Sequence, residues 1–215
     1  MTNEEYSNEL TSRVDRLNLL RAEAISLSAN IIGQTLFKED FYFCASADRC
    51  AHLIDGFISM LKERNLTCAG VLLRMQMDNC MRTYAAFIAQ DKDAVIDCII
   101  SGKHINKEKD SSGKNLSDGY LKEKISKMDP AFEQVYNQAS GYVHLSEKAF
   151  YQTVVRCENN SIEFQVGKEL PERRNPALLE AADAFIHFIH LHYKMLGAVA
   201  ESKKQYDYSQ PDVKQ

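Results

Sequence analysis

Tryptophan is absent from this chain of 215 residues, and proline occurs four times. Without tryptophan, a core must be built from Leu, Ile, Val, Met, Phe and Tyr, and the 45% apolar content is enough to build one. Few prolines leave long stretches free to form unbroken helix. No apolar run approaches the roughly 18 residues that a membrane-spanning helix needs. The opening Met1-Thr2-Asn3-Glu4-Glu5 is acidic and polar, and it lacks both the basic and the apolar segment of a secretory signal. The six cysteines, Cys44, Cys50, Cys68, Cys80, Cys98 and Cys157, contain no Cys-x-x-Cys pair. Scattered through apolar segments, they read as reduced, buried thiols of a cytoplasmic protein. Charge is nearly balanced, 26 basic against 30 acidic residues, for a net charge of −4. That argues against a mainly electrostatic grip on nucleic acid but leaves room for a small basic patch.

The signature loops of common enzyme classes are missing too. Gly113-Lys114 invites a phosphate-loop reading, but Glu108 and Asn115 stand where that loop needs glycine and Ser or Thr. There is no Gly-x-Ser-x-Gly, no His-Glu-x-x-His and no dinucleotide fingerprint.

Helical periodicity is what the chain has in abundance. Leu10, Val14, Leu17, Leu20, Ala24, Leu27 and Ile31 recur every third or fourth residue and predict a helix over 3–36. A second is expected over 41–62, with Phe43, Ala47, Cys50, Ile54, Phe57 and Leu61 on one stripe. The third, 66–89, carries Leu73, Met77, Cys80, Tyr84 and Phe87 on one side and Val71, Met75, Ala85 and Ala89 on the other. A helix apolar nearly all round belongs in the centre. Shorter helices are expected over 93–101, 120–127 and 130–147, the last introduced by Asp129-Pro130. The polar stretch 102–118, with two glycines, reads as a long loop. Alternation of period two over 151–157 and 162–166, around Glu158-Asn159-Asn160-Ser161, predicts a β-hairpin. A last helix is expected from Asn175-Pro176 to about residue 202. The fold class expected is therefore mainly α: a bundle of five to seven helices with one β-hairpin at about 150–166. It forms a single domain over 1–202 followed by a disordered tail, 203–215.

Four clusters could carry chemistry. Ser140 and His144 stand four residues apart in the predicted 130–147 helix, with Gly141 between them. They fall at the rim of its apolar arc, where a groove can form, and a histidine there could move protons near neutrality. On the third helix, Arg74, Asp78 and Arg82 place a carboxylate between two guanidiniums. Charges on a central helix need partners, and an arginine held there can bind phosphate or carboxylate. Asp48, His52 and Asp55 share one face of the second helix as a weak metal-ligand pattern, although a solvated surface face fits them better. On the last helix Asp183, His187, His190 and Lys194 form one polar strip between two apolar stripes, one of which includes His192.

Two segments resemble a group of uncharacterised bacterial helical proteins. One is Ser101-Gly102-Lys103 through Lys109-Asp110, Gly113-Lys114 and Leu116-Ser117-Asp118-Gly119-Tyr120-Leu121. The other is Tyr136-Asn137 through Ser140-Gly141-Tyr142-Val143-His144-Leu145-Ser146. A more distant likeness is to HEPN-type helical proteins, many of them RNases, whose motif pairs an arginine with a histidine at short spacing on one helix. Here Arg49 and His52 stand too close together for that motif, and Ser140 occupies the place an arginine would need relative to His144. The resemblance would have Arg74 supply the charge from another helix.

The leading expectation is a polar groove holding His144 and Ser140 as catalytic groups and Arg74, Asp78, Tyr136 and Lys114 as ligand-binding groups, covered by the 102–118 loop. It would take a small anionic or nucleotide-like ligand or an RNA phosphate, with hydrolysis as the HEPN-like extension. The alternative expectation is a non-enzymatic module for oligomerisation with a second copy or for partner binding. No cofactor, no metal and no membrane is expected.

Overall fold

The computed structural model describes residues 2–144, 146–147, 154–158, 161–164, 166–167 and 172–209. Among these, seven α-helices form a mainly α bundle. They are α1 (Asn3–Ile32), α2 (Lys38–Lys62), α3 (Leu66–Ile88), α4 (Lys92–Ile100), α5 (Asp118–Met128), α6 (Ala131–Val143) and α7 (Asn175–Ser209). Two short strands, β1 (Val154–Glu158) and β2 (Ser161–Phe164), pair antiparallel. Residues 151–153 and 165 of the predicted strands lie outside the described residues.

Local chemistry starts most of these helices. Thr2 and Glu5 form a reciprocal capping box at α1, in which Thr2 Oγ1 accepts the Glu5 N–H at 3.1 Å and the Glu5 carboxylate accepts the Thr2 N–H at 2.6 Å. Asn65, Asp91 and Ser117 each accept the N–H three residues on, which caps α3, α4 and α5. Asp129 accepts the Ala131 N–H at 3.1 Å, so the Asp-Pro start signal operates at α6.

Helix α3 is central and packs against α2, α4, α5, α6 and α7. Its buried residues, including Leu73, Met77, Cys80, Met81 and Ala85, point to several sides, as the all-round apolar pattern predicts. Phe57 of α2 stacks on Phe185 of α7 with ring centroids 4.0 Å apart. Phe132 of α6 meets Phe188 of α7 edge-on at 5.3 Å. All four rings are fully buried, and each contributes about 1.5–3 kcal/mol by leaving water. Gly70 sets the distance between α3 and α6, because a Cβ there would lie 2.3 Å from the ring of Tyr142.

Three boundaries differ from expectation. Helix α1 stops at Ile32, before 36, because Gly33 takes φ +56° and donates its N–H to the Ala29 carbonyl. Helix α6 stops at Val143, before 147: His144 is extended, at φ −111° and ψ 153°. The Ser146 hydroxyl donates to the Gly141 carbonyl at 2.6 Å. The segment predicted as a disordered tail from 203 is helical to Ser209. Lys203 is buried and paired with Asp40, its ammonium 4.2 Å from the Phe37 ring centre. Tyr206 packs edge-on to Phe37 at 5.1 Å, and Asp207 accepts the Gln34 N–H at 2.8 Å. The polar composition of this segment hid its partners, which lie at the α1–α2 connection. Residues 210–215 lie outside the described residues.

Candidate functional site

Helices α2, α3 and α6 present side chains to one groove of about 490 Å³. Val71, Arg74, Met75 and Asp78 come from α3, Tyr136, Ser140 and Val143 from α6, and Arg49 from α2, with His144 just past the end of α6. Residues one turn apart share a helix face, so Arg74 and Asp78 look across at Tyr136 and Ser140. Five of the six sequence candidates meet here. The sixth, Lys114, is not among the lining residues; its ammonium stands 5.5 Å from the Tyr120 ring centre.

Arg74 is held by α6. Its Nε donates to Ser140 Oγ at 3.3 Å, an Nη donates to the Tyr136 hydroxyl, and its guanidinium lies over the Tyr136 ring at 3.7 Å. The expected Arg74-Asp78-Arg82 ladder is therefore broken at its first rung. Arg82 keeps Asp78 at 3.4 Å but lies nearer Asp118 of α5, at 2.6 Å. Among the described residues neither Arg74 nor Arg49 has an acidic partner.

The Ser140 hydroxyl donates to the Tyr136 carbonyl at 2.8 Å while accepting from Arg74. Its proton is thus directed into its own helix. His144 caps the end of α6 in an extended conformation rather than continuing the helix, and it lines the same groove as Ser140. His144 is exposed at the groove rim and makes no hydrogen bond to any described residue.

The 102–118 loop does not cover this groove, since none of its residues lines it. It is sewn to the far end of α3, where Gln90 donates to the Lys109 carbonyl at 2.8 Å and Ser111 to the Ile88 carbonyl at 3.1 Å. Ile105 and Leu116 are buried. Asp110 accepts from the Tyr120 hydroxyl, from both the hydroxyl and N–H of Ser112, and from the Lys114 N–H. These donors, Tyr120 foremost, hold its carboxyl well below the usual carboxylate range. The polar sequence is that of a self-bonded turn.

The remaining clusters separate. Asp55 pairs with Arg21 at 2.6 Å, away from Asp48 and His52, which are both exposed. Along α7, Asp183 pairs with Arg13, His187 with Asp129, and His190 lies against Arg16. Among the described residues no three His, Cys, Asp or Glu side chains gather closely enough to hold a metal ion. No described helix is long and apolar enough to cross a membrane.

Two features escaped the sequence reading. Arg49 joins the groove because it lies in line with the buried Tyr42, Ser46 and Leu53 at helical spacing. His192 is fully buried, its Nε2 2.8 Å from Ser46 Oγ and 3.1 Å from Thr83 Oγ1. Asn79 completes the cluster by donating to the Ser46 carbonyl at 2.9 Å. Burial pushes the His192 imidazole down to about 3. The place of His192 in an apolar stripe of α7 was the available signal.

Comparison with known protein families, with curated proteins and with solved structures finds no match for this chain. Functional meaning has to come from the groove's own chemistry.

Proposed function

We propose that the groove between α2, α3 and α6 binds a phosphate-bearing ligand. The observation that carries this reading is the pair of arginines, Arg49 and Arg74, facing one groove without an acidic partner among the described residues. An arginine pre-oriented by neutral partners, here Ser140 and Tyr136, keeps its charge available and loses little side-chain freedom on binding an oxyanion. The HEPN-type resemblance adds phosphoester hydrolysis to this reading. In that chemistry His144 takes the proton from the attacking hydroxyl or water as the new P–O bond forms, the P–O bond to the leaving oxygen breaks and that oxygen takes a proton from solvent, and the arginines stabilise charge on the phosphorus oxygens. Ser140 acts by holding Arg74. The free thiols of Cys44, Cys50, Cys68, Cys80 and Cys98 support a reducing, cytoplasmic setting.

Titration with inorganic phosphate, followed by NMR or calorimetry, tests the site. Arg74→Ala and Arg49→Ala should each weaken binding by about tenfold, the loss of one charge-assisted contact. Binding that neither substitution weakens, or no binding at all, sinks the proposal. Cleavage of a single-stranded RNA that His144→Ala abolishes would establish the hydrolytic part. The non-enzymatic reading draws on Ile162, Phe164 and Val166, which are exposed at 54%, 55% and 84% and could cover one another between two copies.

A further inference from the structure

The groove contains a group that an anion site should not have. Asp78 lines it one helical turn from Arg74, and a carboxylate there repels the phosphate that the arginines attract. Asp78 is not consumed by its neighbour either. Arg82 reaches it at 3.4 Å but binds Asp118 at 2.6 Å, and the Asp78 side chain keeps 31% of its surface open. The remaining wall is aliphatic: Val71, Met75 and Val143. Of the groove's two aromatic rings, Tyr136 already has a face covered by Arg74 at 3.7 Å and His144 stands at the rim.

These features fit together if the ligand is anionic at one end and a hydrogen-bond donor at the other. Resting on the phosphate reading above, we infer that the groove takes a phosphorylated sugar, its phosphate on Arg74 and Arg49 and a sugar hydroxyl donating to Asp78. Four residues of helix rise about 6 Å, which matches the span from a phosphate to a hydroxyl a few bonds away on a pentose. The carboxylate accepts from a neutral hydroxyl without opposing charge, and a charged acceptor makes that bond stronger than a neutral one. The aliphatic wall meets the sugar's C–H faces. Arg74 covers the Tyr136 face that a nucleobase would stack on inside the groove, so recognition centres on the sugar and phosphate. The volume of about 490 Å³ lies within the range of small-ligand sites.

Calorimetric titration of the intact protein with four probes decides this: inorganic phosphate, n-butyl phosphate, ribose 5-phosphate and 5′-AMP. Ribose 5-phosphate should bind about tenfold more tightly than n-butyl phosphate, which has a similar chain but no hydroxyl. Equal affinity for these two, with phosphate still bound, overturns the sugar inference and leaves the anion site standing. Failure of all four to bind removes both. Asp78→Ala should erase the preference by weakening ribose 5-phosphate while n-butyl phosphate binds as well as before or better, since a repulsive charge is gone. Equal loss of both ligands in Asp78→Ala, at unchanged melting temperature, also overturns the inference. The wild-type comparison decides even if the variant misfolds. The nucleotide arm separates two sources of the same chemistry. Tighter 5′-AMP points to nucleotides and overturns a recognition centred on the sugar and phosphate, whereas equal binding supports it; the role of Asp78 is decided by the Asp78→Ala arm.

Discussion

His192 and His144 both lie against α3, one inside the bundle and one at the rim of the groove. Around His192, Ser46 of α2 bonds both Asn79 and Thr83 of α3, and the Ser46 and Thr83 hydroxyls meet the imidazole Nε2. The ring Nδ1 and the Gln76 amide, both buried, have no hydrogen-bond partner among the described residues. Such a cluster fixes the register of α2, α3 and α7 and has no route to a ligand. Around His144 the arrangement is inverted: no described partner, open solvent, and two arginines that form no ion pair among the described residues. A polar group closed in by its own protein shapes the fold, whereas one left open next to unpaired charge is available to something else.

Removing the buried member should be the most damaging change. His192→Ala leaves a cavity and removes the ring nitrogen that Ser46 and Thr83 share, so a loss of about 3 kcal/mol or more in unfolding free energy is expected by urea denaturation. Phosphate affinity per folded molecule should be unchanged. A loss below about 1 kcal/mol would show that the polar cluster carries little of the fold.

Acid should probe the same site more gently. The folded state holds His192 neutral down to about pH 3, whereas in the unfolded chain an ordinary histidine takes a proton at about pH 6.5. Below pH 6.5 the unfolded state therefore binds a proton that the folded state refuses. The contribution is fully present above that pH and is lost as pH falls toward 3, by about 1.4 kcal/mol per unit. Between pH 6.5 and 5, before most carboxylates titrate, the cost should be about 2 kcal/mol. His192→Gln should flatten this slope. An equally steep slope in that variant assigns it to other groups.

Gly70→Ala links the two regions, since α3 carries both. In a free helix this change stabilises by about 1 kcal/mol. Here the new Cβ would stand 2.3 Å from the Tyr142 ring, so α6 must shift. A net loss of about 1–2 kcal/mol is expected, together with weaker phosphate binding as Ser140 and Tyr136 move off Arg74. A stabilised variant with unaltered binding would mean that the α3–α6 distance does not shape the groove.

Much of this was legible in the sequence, and the exceptions have definite causes. Helix α3 announced itself as central because both its sides are apolar, and Asp129-Pro130 marked the start of α6 within a residue. The meeting of Arg74 and Asp78 with Tyr136, Ser140 and His144 followed from two helix faces that each carried polar residues at the rim of an apolar arc. Three-dimensional partners decided the rest. Lys203 reads as tail until Asp40 and Phe37 are seen across from it, and 102–118 reads as a lid until Asp110 gathers its donors. Arg49 is exposed like any surface arginine in the linear pattern, and its line-up with Ser46 and Leu53 acquires meaning only when α6 comes to lie opposite.

His144→Ala should cost the least stability of all. The side chain is exposed and bonds to no described residue, so its removal orphans no described group and opens no cavity, and unfolding free energy should change by less than about 0.5 kcal/mol. The contrast with His192→Ala is then several-fold, although both substitutions delete an imidazole beside the same helix. Phosphate affinity should fall by less than for Arg74→Ala or Arg49→Ala, because His144 stands at the rim of the groove. A loss as large as that of either arginine variant would place His144 in direct contact with the ligand. A stability loss of 1 kcal/mol or more would give His144 a structural partner, and the inverted pair of histidine sites on α3 would dissolve.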